Sequence, residues 1–130
     1  MTTLDHVTIR SSSLAATRSF FVELFDLREG PRPQAISRIP GHWLYADGRP
    51  IVHIIAGGGV SGMRAIAADA IDHVAFRRDD IADFKARLAR LRIPYSEMEL
   101  EELRERRIFV RAPGGPLIEV VFREADALAA

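Results

Sequence analysis

The sequence predicts an α+β fold built from one pattern that occurs twice. Residues 4–10 return as residues 71–77, a displacement of 67, and residues 50–55 return as residues 116–121, a displacement of 66. Each copy reads as a strand, a helix and further strands. A repeat of this kind indicates a duplicated module, and it places side chains of the two halves at equivalent positions.

The first predicted strand, residues 3–10, alternates in polarity. One side carries Asp5, Val7 and Ile9, and the other carries His6, Thr8 and Arg10. Such alternation is typical of a half-buried strand, and it places the histidine opposite the apolar face. We interpret Arg10 and its equivalent Arg77 as solvated charges at the ends of their strands.

A helix is predicted after the first strand of each copy. Ser12 or Ser13 can cap the first helix, which ends before residues 30–31, and Asp79 or Asp80 can cap the second. The apolar stripe of the first helix consists of Leu14, Phe21, Leu24 and Phe25. The stripe of the second consists of Ile81, Phe84, Leu88 and Leu91. Both stripes have helical spacing and are expected to face the core.

Further strands are expected behind each helix. Residues 43–46 and 108–111 give the clearer signals, whereas residues 34–39 and 95–103 give weaker ones. Because charged residues dominate 97–107, part of that stretch is expected to be an exposed loop.

The closing strand of each copy follows a turn. Asp47-Gly48 and residues 113–115 are the turn signals, and the strands behind them carry His53 and Glu119 at equivalent positions. On this alternation His53 shares its side with Ile51 and Ile55, and Glu119 shares its side with Leu117 and Val121. Each polar group therefore emerges from an apolar surface.

These signals predict a single domain over residues 1–130. It consists of a first module (3–56), a glycine-rich linker (57–69), a second module (70–122) and a tail (123–130). The glycine-rich run is not a phosphate-binding loop, because no Lys followed by Ser or Thr comes directly after the glycines.

Composition and charge favour a small organic ligand. Eighteen basic and eighteen acidic side chains cancel, so no field attracts nucleic acid or an anionic membrane. The chain has no cysteine, which excludes a disulfide scaffold and a thiolate zinc site. It shows neither a basic leader with an apolar core nor a long apolar run, so we expect a cytoplasmic protein.

The two βαβββ modules, each with a histidine near its start, resemble the vicinal oxygen chelate superfamily. That group contains glyoxalase I, methylmalonyl-CoA epimerase, fosfomycin and bleomycin resistance proteins and extradiol dioxygenases. The resemblance covers about residues 3–122, and its most specific elements are the paired Asp-His-Val segments and the closing Pro-Leu-Ile-Glu-Val-Val-Phe stretch. It implies a curved eight-stranded mixed sheet, a cup, with the helices on its convex side.

By position, the resemblance implies that His6, His73 and Glu119 bind a divalent metal. His53 matches the fourth, more variable position, and it is a metal ligand, a general base or a group that lines the pocket. Two imidazoles and a carboxylate suit Zn, Ni, Co, Mn or Fe and leave coordination positions open for substrate. A buried, unpaired carboxylate would also cost several kcal/mol, which a metal would offset.

The pattern further predicts residues that contact substrate. The displacement of 66 equates Trp43 with Phe109 and Tyr45 with Arg111, on one side of their strands. Aromatic walls and one cation suit a small molecule with a carboxylate or an enolisable carbonyl. The alternative is that Trp43 and Phe109 are core residues.

The resemblance implies a glyoxalase-like lyase or isomerase in which two vicinal oxygens of the substrate chelate the metal, with His53 and Glu119 as catalytic groups. His53 departs from the carboxylate usual in glyoxalase I and from the amide usual in methylmalonyl-CoA epimerase. Whether a thiol cofactor is needed is left open. A homodimer is expected, as is common in the superfamily.

Three other activities fit the resemblance. An extradiol dioxygenase would use Fe(II), but it would carry a tyrosine where this chain has Phe109. Fosfomycin-type thiol transfer has no marker beyond scattered arginines. A non-catalytic binding or resistance protein would use the cup without a metal.

Overall fold

The computed structural model describes residues 1–56, 70–113 and 117–123. The strands are β1 (Thr2–Arg10), β2 (Arg28–Gly30), β3 (Gly41–Ala46), β4 (Arg49–Ile55), β5 (Ala70–Arg78), β6 (Ser96–Leu100), β7 (Glu105–Arg111) and β8 (Leu117–Arg123). The α-helices are α1 (Leu14–Phe25) and α2 (Ile81–Arg90), and short 3-10 helices cover Gln34–Ile36 and Glu101–Leu103. The predicted linker (57–69) and the tail beyond residue 123 lie outside the described residues.

All eight strands belong to one mixed sheet, in the order β2-β3-β4-β1-β5-β8-β7-β6. β1 and β4 run parallel, whereas β2, β3 and β4 pair antiparallel, as do β6, β7 and β8. This architecture confirms the predicted α+β fold with an eight-stranded mixed sheet. None of the helices in the described ranges is long and apolar enough to cross a membrane.

The chain divides into two compact units, which we call the first unit (residues 6–74) and the second unit (residues 1–5 and 75–130). In the first unit, α1 packs through Leu14, Phe21 and Val22 on a core formed by Leu27, Leu44, Val52 and Ile54. In the second unit, α2 packs through Ile81, Phe84 and Leu88 on a core formed by Ile108, Val120 and Phe122. In each unit the helix therefore covers one face of its strands, and His53 in the first unit and Glu119 in the second, each next to a core residue in its strand, lie on the other face.

The helical stripes are confirmed only in part. Leu24 and Phe25 of α1 are 60% and 56% exposed, and Leu91 is 58% exposed. The packed side of α1 is turned toward Val22, which moves Leu24 away from the core. Leu91 is the residue after the last turn of α2, so it no longer follows the helical stripe.

The strand predicted near residues 34–39 is wrong. That stretch contains a 3-10 helix, and the strand that pairs with β3 is β2, directly after α1. Asp26 ends α1 in a left-handed conformation, with φ of 57°, and so reverses the chain earlier than the sequence suggests. Gly30 then pairs with Trp43, where a Cβ would lie 2.5 Å from the ring of Tyr45.

The weaker strand of the second copy is confirmed as β6, but the exposed loop expected within 97–107 is restricted to about residues 101–104. Glu105 and Arg107 are strand residues of β7, only 1% and 6% exposed. Their burial is explained by the ion pairs described below.

The turn before His53 is confirmed. Asp47 and Gly48 both have positive φ, 50° and 75°, as a tight turn between antiparallel strands requires. The equivalent turn before Glu119 includes Gly114 and Gly115, which lie outside the described residues.

Of the three glycines in the described part of the first unit, Gly41 should be the least tolerant of a side chain. A Cβ on Gly41 would lie 2.1 Å from the backbone oxygen of Ile54, so β3 and β4 would have to separate. We expect Gly41→Ala to lower the free energy of unfolding by about 3 kcal/mol in urea denaturation. Gly48→Ala is the control: it meets no atom within 4 Å and should cost only about 1 kcal/mol for its positive φ. Equal losses in the two variants would contradict this packing.

Candidate metal centre

The polar side of β1 forms the base of the candidate centre in the first unit. Val7 and Ile9 pack toward the helix, whereas His6 and Thr8 are only 1% and 2% exposed on the opposite side. The predicted alternation of β1 is therefore confirmed. The interpretation of Arg10 as a solvated charge is wrong, because Arg10 is 6% exposed and its Nε lies 3.5 Å from Oδ1 of Asp72.

His73 is held on both ring nitrogens. Its Nδ1 lies 2.8 Å from Oδ2 of Asp72, whose side chain is completely buried, and its Nε2 lies 3.0 Å from the hydroxyl oxygen of Thr8. Since an ionised carboxylate only accepts, Nδ1 donates to Asp72, and the lone pair of Nε2 accepts from Thr8. Metal-binding histidines commonly have this arrangement, with a carboxylate on one nitrogen and the other nitrogen directed to the metal.

His6 and His73 lie side by side in the first unit. Their ring centroids are 5.8 Å apart with the planes almost perpendicular, and one ring nitrogen of each lies within 4.8 Å of the other. Both side chains are buried. Two imidazole nitrogens at this separation can share one cation.

His53 is the middle ring of a stack. Its ring lies 3.7 Å from that of His6 and 3.9 Å from that of Trp43, nearly parallel to both. Its Nε2 lies 3.2 Å from the backbone oxygen of Pro50, to which it donates. The stack fixes the plane of His53, and Trp43, only 2% exposed, forms its outer wall.

One part of the predicted strand parity is wrong. The register of β3 and β4 shifts between Leu44 and Tyr45, so Ile51 leaves the side of His53 and packs on the core beneath α1.

The hydroxyl of Tyr45 donates a hydrogen bond to the backbone oxygen of Pro31. Partial burial raises the pKa of Tyr45 above its usual value, so its hydroxyl keeps its proton at neutral pH.

In the second unit, β7 and β8 place Phe109 opposite Glu119 and Arg111 opposite Leu117. In the first unit Trp43 lies opposite His53 in the same way. Phe109 is partly buried, whereas Arg111 is exposed. Trp43 and Phe109 therefore have equivalent cross-strand partners, whereas Tyr45 and Arg111 do not, because Tyr45 lies opposite Pro50. Whether these side chains contact substrate stays a prediction.

Glu119 is buried in the second unit and has a protein partner. Nη1 of Arg107 donates to its Oε2 at 3.1 Å, and the same guanidinium donates to Oε1 of Glu105 at 2.7 Å from Nη2. Burial lowers the pKa of Arg107, but Glu119 and Glu105 raise it by more, so the guanidinium stays charged. Glu119 therefore has a positive partner in the protein and does not need a metal to compensate its buried charge, so that prediction is wrong.

Among the described residues, one group of side chains has the chemistry of a metal site, and all of its members are buried: His6, His73 and Glu119. His53 is not part of that group. Sequence reasoning missed the polar partners of this group, Asp72, Thr8, Arg10, Arg107 and Glu105. Only Asp72 had a visible signal, because an aspartate precedes the histidine in both copies of the repeat.

The fold is similar to that of methylmalonyl-CoA epimerase from Mycobacterium tuberculosis, with a TM-score of 0.70 and 21% identity over 98% of this chain and 91% of that chain. A variant of methylmalonyl-CoA epimerase from Streptomyces coelicolor, in complex with 2-nitronate-propionyl-CoA, gives a TM-score of 0.67 and 19% identity over 94% and 97%. The 2,3-dioxygenase LapB from Pseudomonas sp. KL28 gives a TM-score of 0.70 and 19% identity, over 92% of this chain but only 40% of that chain.

No protein-family model matches the sequence, and a search of curated proteins gives no significant match. The likeness rests on backbone geometry, and the alignments cover 92–98% of this chain. This chain therefore shares its fold with the methylmalonyl-CoA epimerases and with one part of the dioxygenase, and at 19–21% identity the likeness shows the fold alone.

Proposed function

We propose that this chain is an enzyme that depends on a divalent metal held by His6, His73 and Glu119. The observation that carries the proposal is the imidazole pair of His6 and His73, in which Asp72 holds Nδ1 of His73 and so leaves Nε2, 3.0 Å from the hydroxyl oxygen of Thr8, as the nitrogen that can bind a metal. Glu119 supplies the third ligand in this proposal. Its support is its burial and its position in the closing strand, equivalent to that of His53 in the repeat.

The donor set fits such a metal. Two neutral imidazoles and one carboxylate suit Zn, Ni, Co, Mn or Fe(II) better than Mg or Ca, which prefer shells of oxygen. When bound, the cation would act as a Lewis acid toward two neighbouring oxygens of a substrate and stabilise negative charge on them. The remaining chemistry falls to side chains of the protein.

In this proposal His53 moves the proton. Its Nε2–H donates to the backbone oxygen of Pro50, so the lone pair that accepts a proton is on Nδ1. The rings of His6 and Trp43 hold the imidazole in one plane, which lowers the entropy cost of proton transfer. Removal of a proton from a carbon next to a carbonyl is the step that isomerase and lyase chemistry requires.

The second candidate enzyme, an extradiol dioxygenase, is disfavoured by one position. Phe109 lies directly across from Glu119 in the β7–β8 register, and it lacks the hydroxyl that the resemblance requires there. The likeness to LapB supports the shared fold alone. Isomerase or lyase chemistry is therefore the better proposal.

A non-catalytic binding protein is the second candidate function, and one observation favours it. Arg107 already compensates the charge of Glu119, so the buried carboxylate is stable without a cation. The homodimer and the cytoplasmic location stay predictions.

Proton exchange in D₂O tests the proposed function. The cobalt-loaded protein should catalyse deuterium incorporation at the acidic carbon of one of two substrates, methylmalonyl-CoA or the hemithioacetal of methylglyoxal and glutathione. Mass spectrometry of the substrate measures the incorporation. His53→Ala should reduce the rate at least about 100-fold. His42→Ala is the matched control, since His42 binds Glu29 and lies on the other side of β3 from Trp43.

Each alternative has its own outcome. Oxygen consumption with a catechol, without deuterium exchange, would contradict isomerase activity and indicate a dioxygenase. A protein that binds no metal and exchanges neither substrate would support the non-catalytic binding function.

A further inference from the structure

The exposed side of α1 in the first unit is apolar. Phe20, Leu24 and Phe25 are 54%, 60% and 56% exposed. The ring of Phe20 lies edge to face with that of Phe25, with the centroids 6.3 Å apart, and Leu24 lies one turn after Phe20 on the helix surface. These three side chains form one continuous surface, which we call the α1 patch.

The second copy of the repeat shows that the fold does not require this patch. At the displacement of 67, Phe20 corresponds to Arg87 of α2, and Phe25 corresponds to Arg92. The side chain of Arg87 is half-exposed and lies 3.7 Å from a carboxylate oxygen of Asp83. α2 therefore presents charges to solvent, as a surface helix normally does, whereas the composition of α1 is typical of a helix that is covered on both sides.

The charges of α1 are also reversed relative to the helix dipole. α1 lies wholly within the described residues, and it has no acidic residue in its first turn, no basic residue in its last turn and no side-chain cap at Ser13. Its C-terminal end instead carries Glu23 and Asp26. α2 has the usual arrangement, with an acidic residue in its first turn and two arginines in its last. Acidic groups at a helix C terminus are unfavourable unless positive charge lies beside them.

We propose that the α1 patch is the interface between two copies of this chain, with the two α1 helices packed antiparallel about a twofold axis. With the axis near Phe20, Leu24 of one copy lies against the exposed Ala16 of the other, so a large side chain meets a small one. Glu23 and Asp26 of each copy then lie beside the N terminus of the other α1, where unpaired N–H groups and the helix dipole favour negative charge. One contact thus covers the apolar side chains and compensates the acidic ends of both helices.

The α1 patch has the size of the centre of a dimer interface. Two phenylalanines and a leucine at over half exposure present roughly 300 Å² per copy, because a whole aromatic side chain has about 150–250 Å². Two copies therefore bury about 600 Å² of apolar surface, which a polar rim completes to a standard interface of about 1,600 Å². This inference goes beyond the proposed function, because it rests on α1 alone and holds whether or not a metal binds.

Sedimentation velocity of the full chain at micromolar concentrations tests the interface. The wild-type protein should sediment as a dimer. Phe20→Arg, which copies the residue of α2, should raise the dissociation constant of the dimer at least about 100-fold, because it places a charge in an apolar contact. Glu23→Arg should raise it about tenfold in low salt and less in high salt, because it places a cation beside the positive end of the other helix.

Leu91→Arg is the matched control, because Leu91 is 58% exposed and corresponds to Leu24 in the repeat. It should leave the dissociation constant unchanged, and thermal melting shows that each variant is folded. A monomeric wild-type protein would overturn the proposal and leave the α1 patch to a different partner. Unchanged dimerisation in Phe20→Arg, or an equal loss in Leu91→Arg, would also overturn it. Indifference to Glu23→Arg would overturn the antiparallel arrangement.

Discussion

Glu119→Gln should reduce cobalt affinity by roughly 100-fold or more, since losing a ligand costs more than the 10–100-fold typical of losing a ligand's hydrogen-bond partner. Glutamine keeps the shape of the side chain and an oxygen that accepts from Arg107 at the position of Oε2. What it loses is the anionic oxygen that the proposed site gives to the metal. Titration with cobalt, read by visible absorption, measures the loss.

The control for this variant is Glu99→Gln. Glu99 is an exposed carboxylate on β6, in the same unit, paired in register with Arg106. It should leave cobalt affinity unchanged. His6→Ala should repeat the loss seen with Glu119→Gln, and a cobalt affinity that survives both substitutions would contradict the proposed ligands.

Asp72→Asn should weaken both the metal site and the fold. The carboxylate holds Nδ1 of His73 at 2.8 Å and lies 3.5 Å from Arg10, and the Asp72 side chain is completely buried. An amide at position 72 cannot compensate the positive charge of the buried Arg10 guanidinium. We therefore expect a loss of about 3 kcal/mol in the free energy of unfolding. Cobalt affinity should fall about 10–100-fold, because the ring of His73 is no longer oriented.

Thr8→Val is the control that separates these effects, because Thr8 binds the opposite nitrogen of the same ring. Its hydroxyl competes with a metal for the lone pair of Nε2 of His73. Cobalt affinity should therefore stay the same or rise in Thr8→Val. If both variants lose affinity alike, Nε2 is not the nitrogen that binds the metal.

The repeat explains what the sequence could predict. Alternation along β1 gives the side of His6, and the displacement of 67 carries the same position to His73 in β5. Local signals of this kind predict the folded structure correctly, because side chains alternate between the two faces of a strand wherever that strand pairs. The turn at Asp47-Gly48 and the closing strands follow from equally local signals.

The failures share a different cause, which is pairing between distant residues. The bulge that moves Ile51 to the core side depends on how β4 meets β3, and no local pattern shows it. Arg10 is buried because it meets Asp72, 62 positions later in the numbering of the chain. Glu105 and Arg107 lie in a charged stretch that looks exposed until their ion pairs are known.

In the proposed site His6, His73 and Glu119 bind one divalent cation together. X-ray absorption of the protein loaded with one equivalent of cobalt can detect these ligands. We expect a first shell that contains two imidazole nitrogens, at about 2.0–2.2 Å, together with oxygen. A first shell of oxygen alone, or one that His6→Ala leaves unchanged, would contradict it.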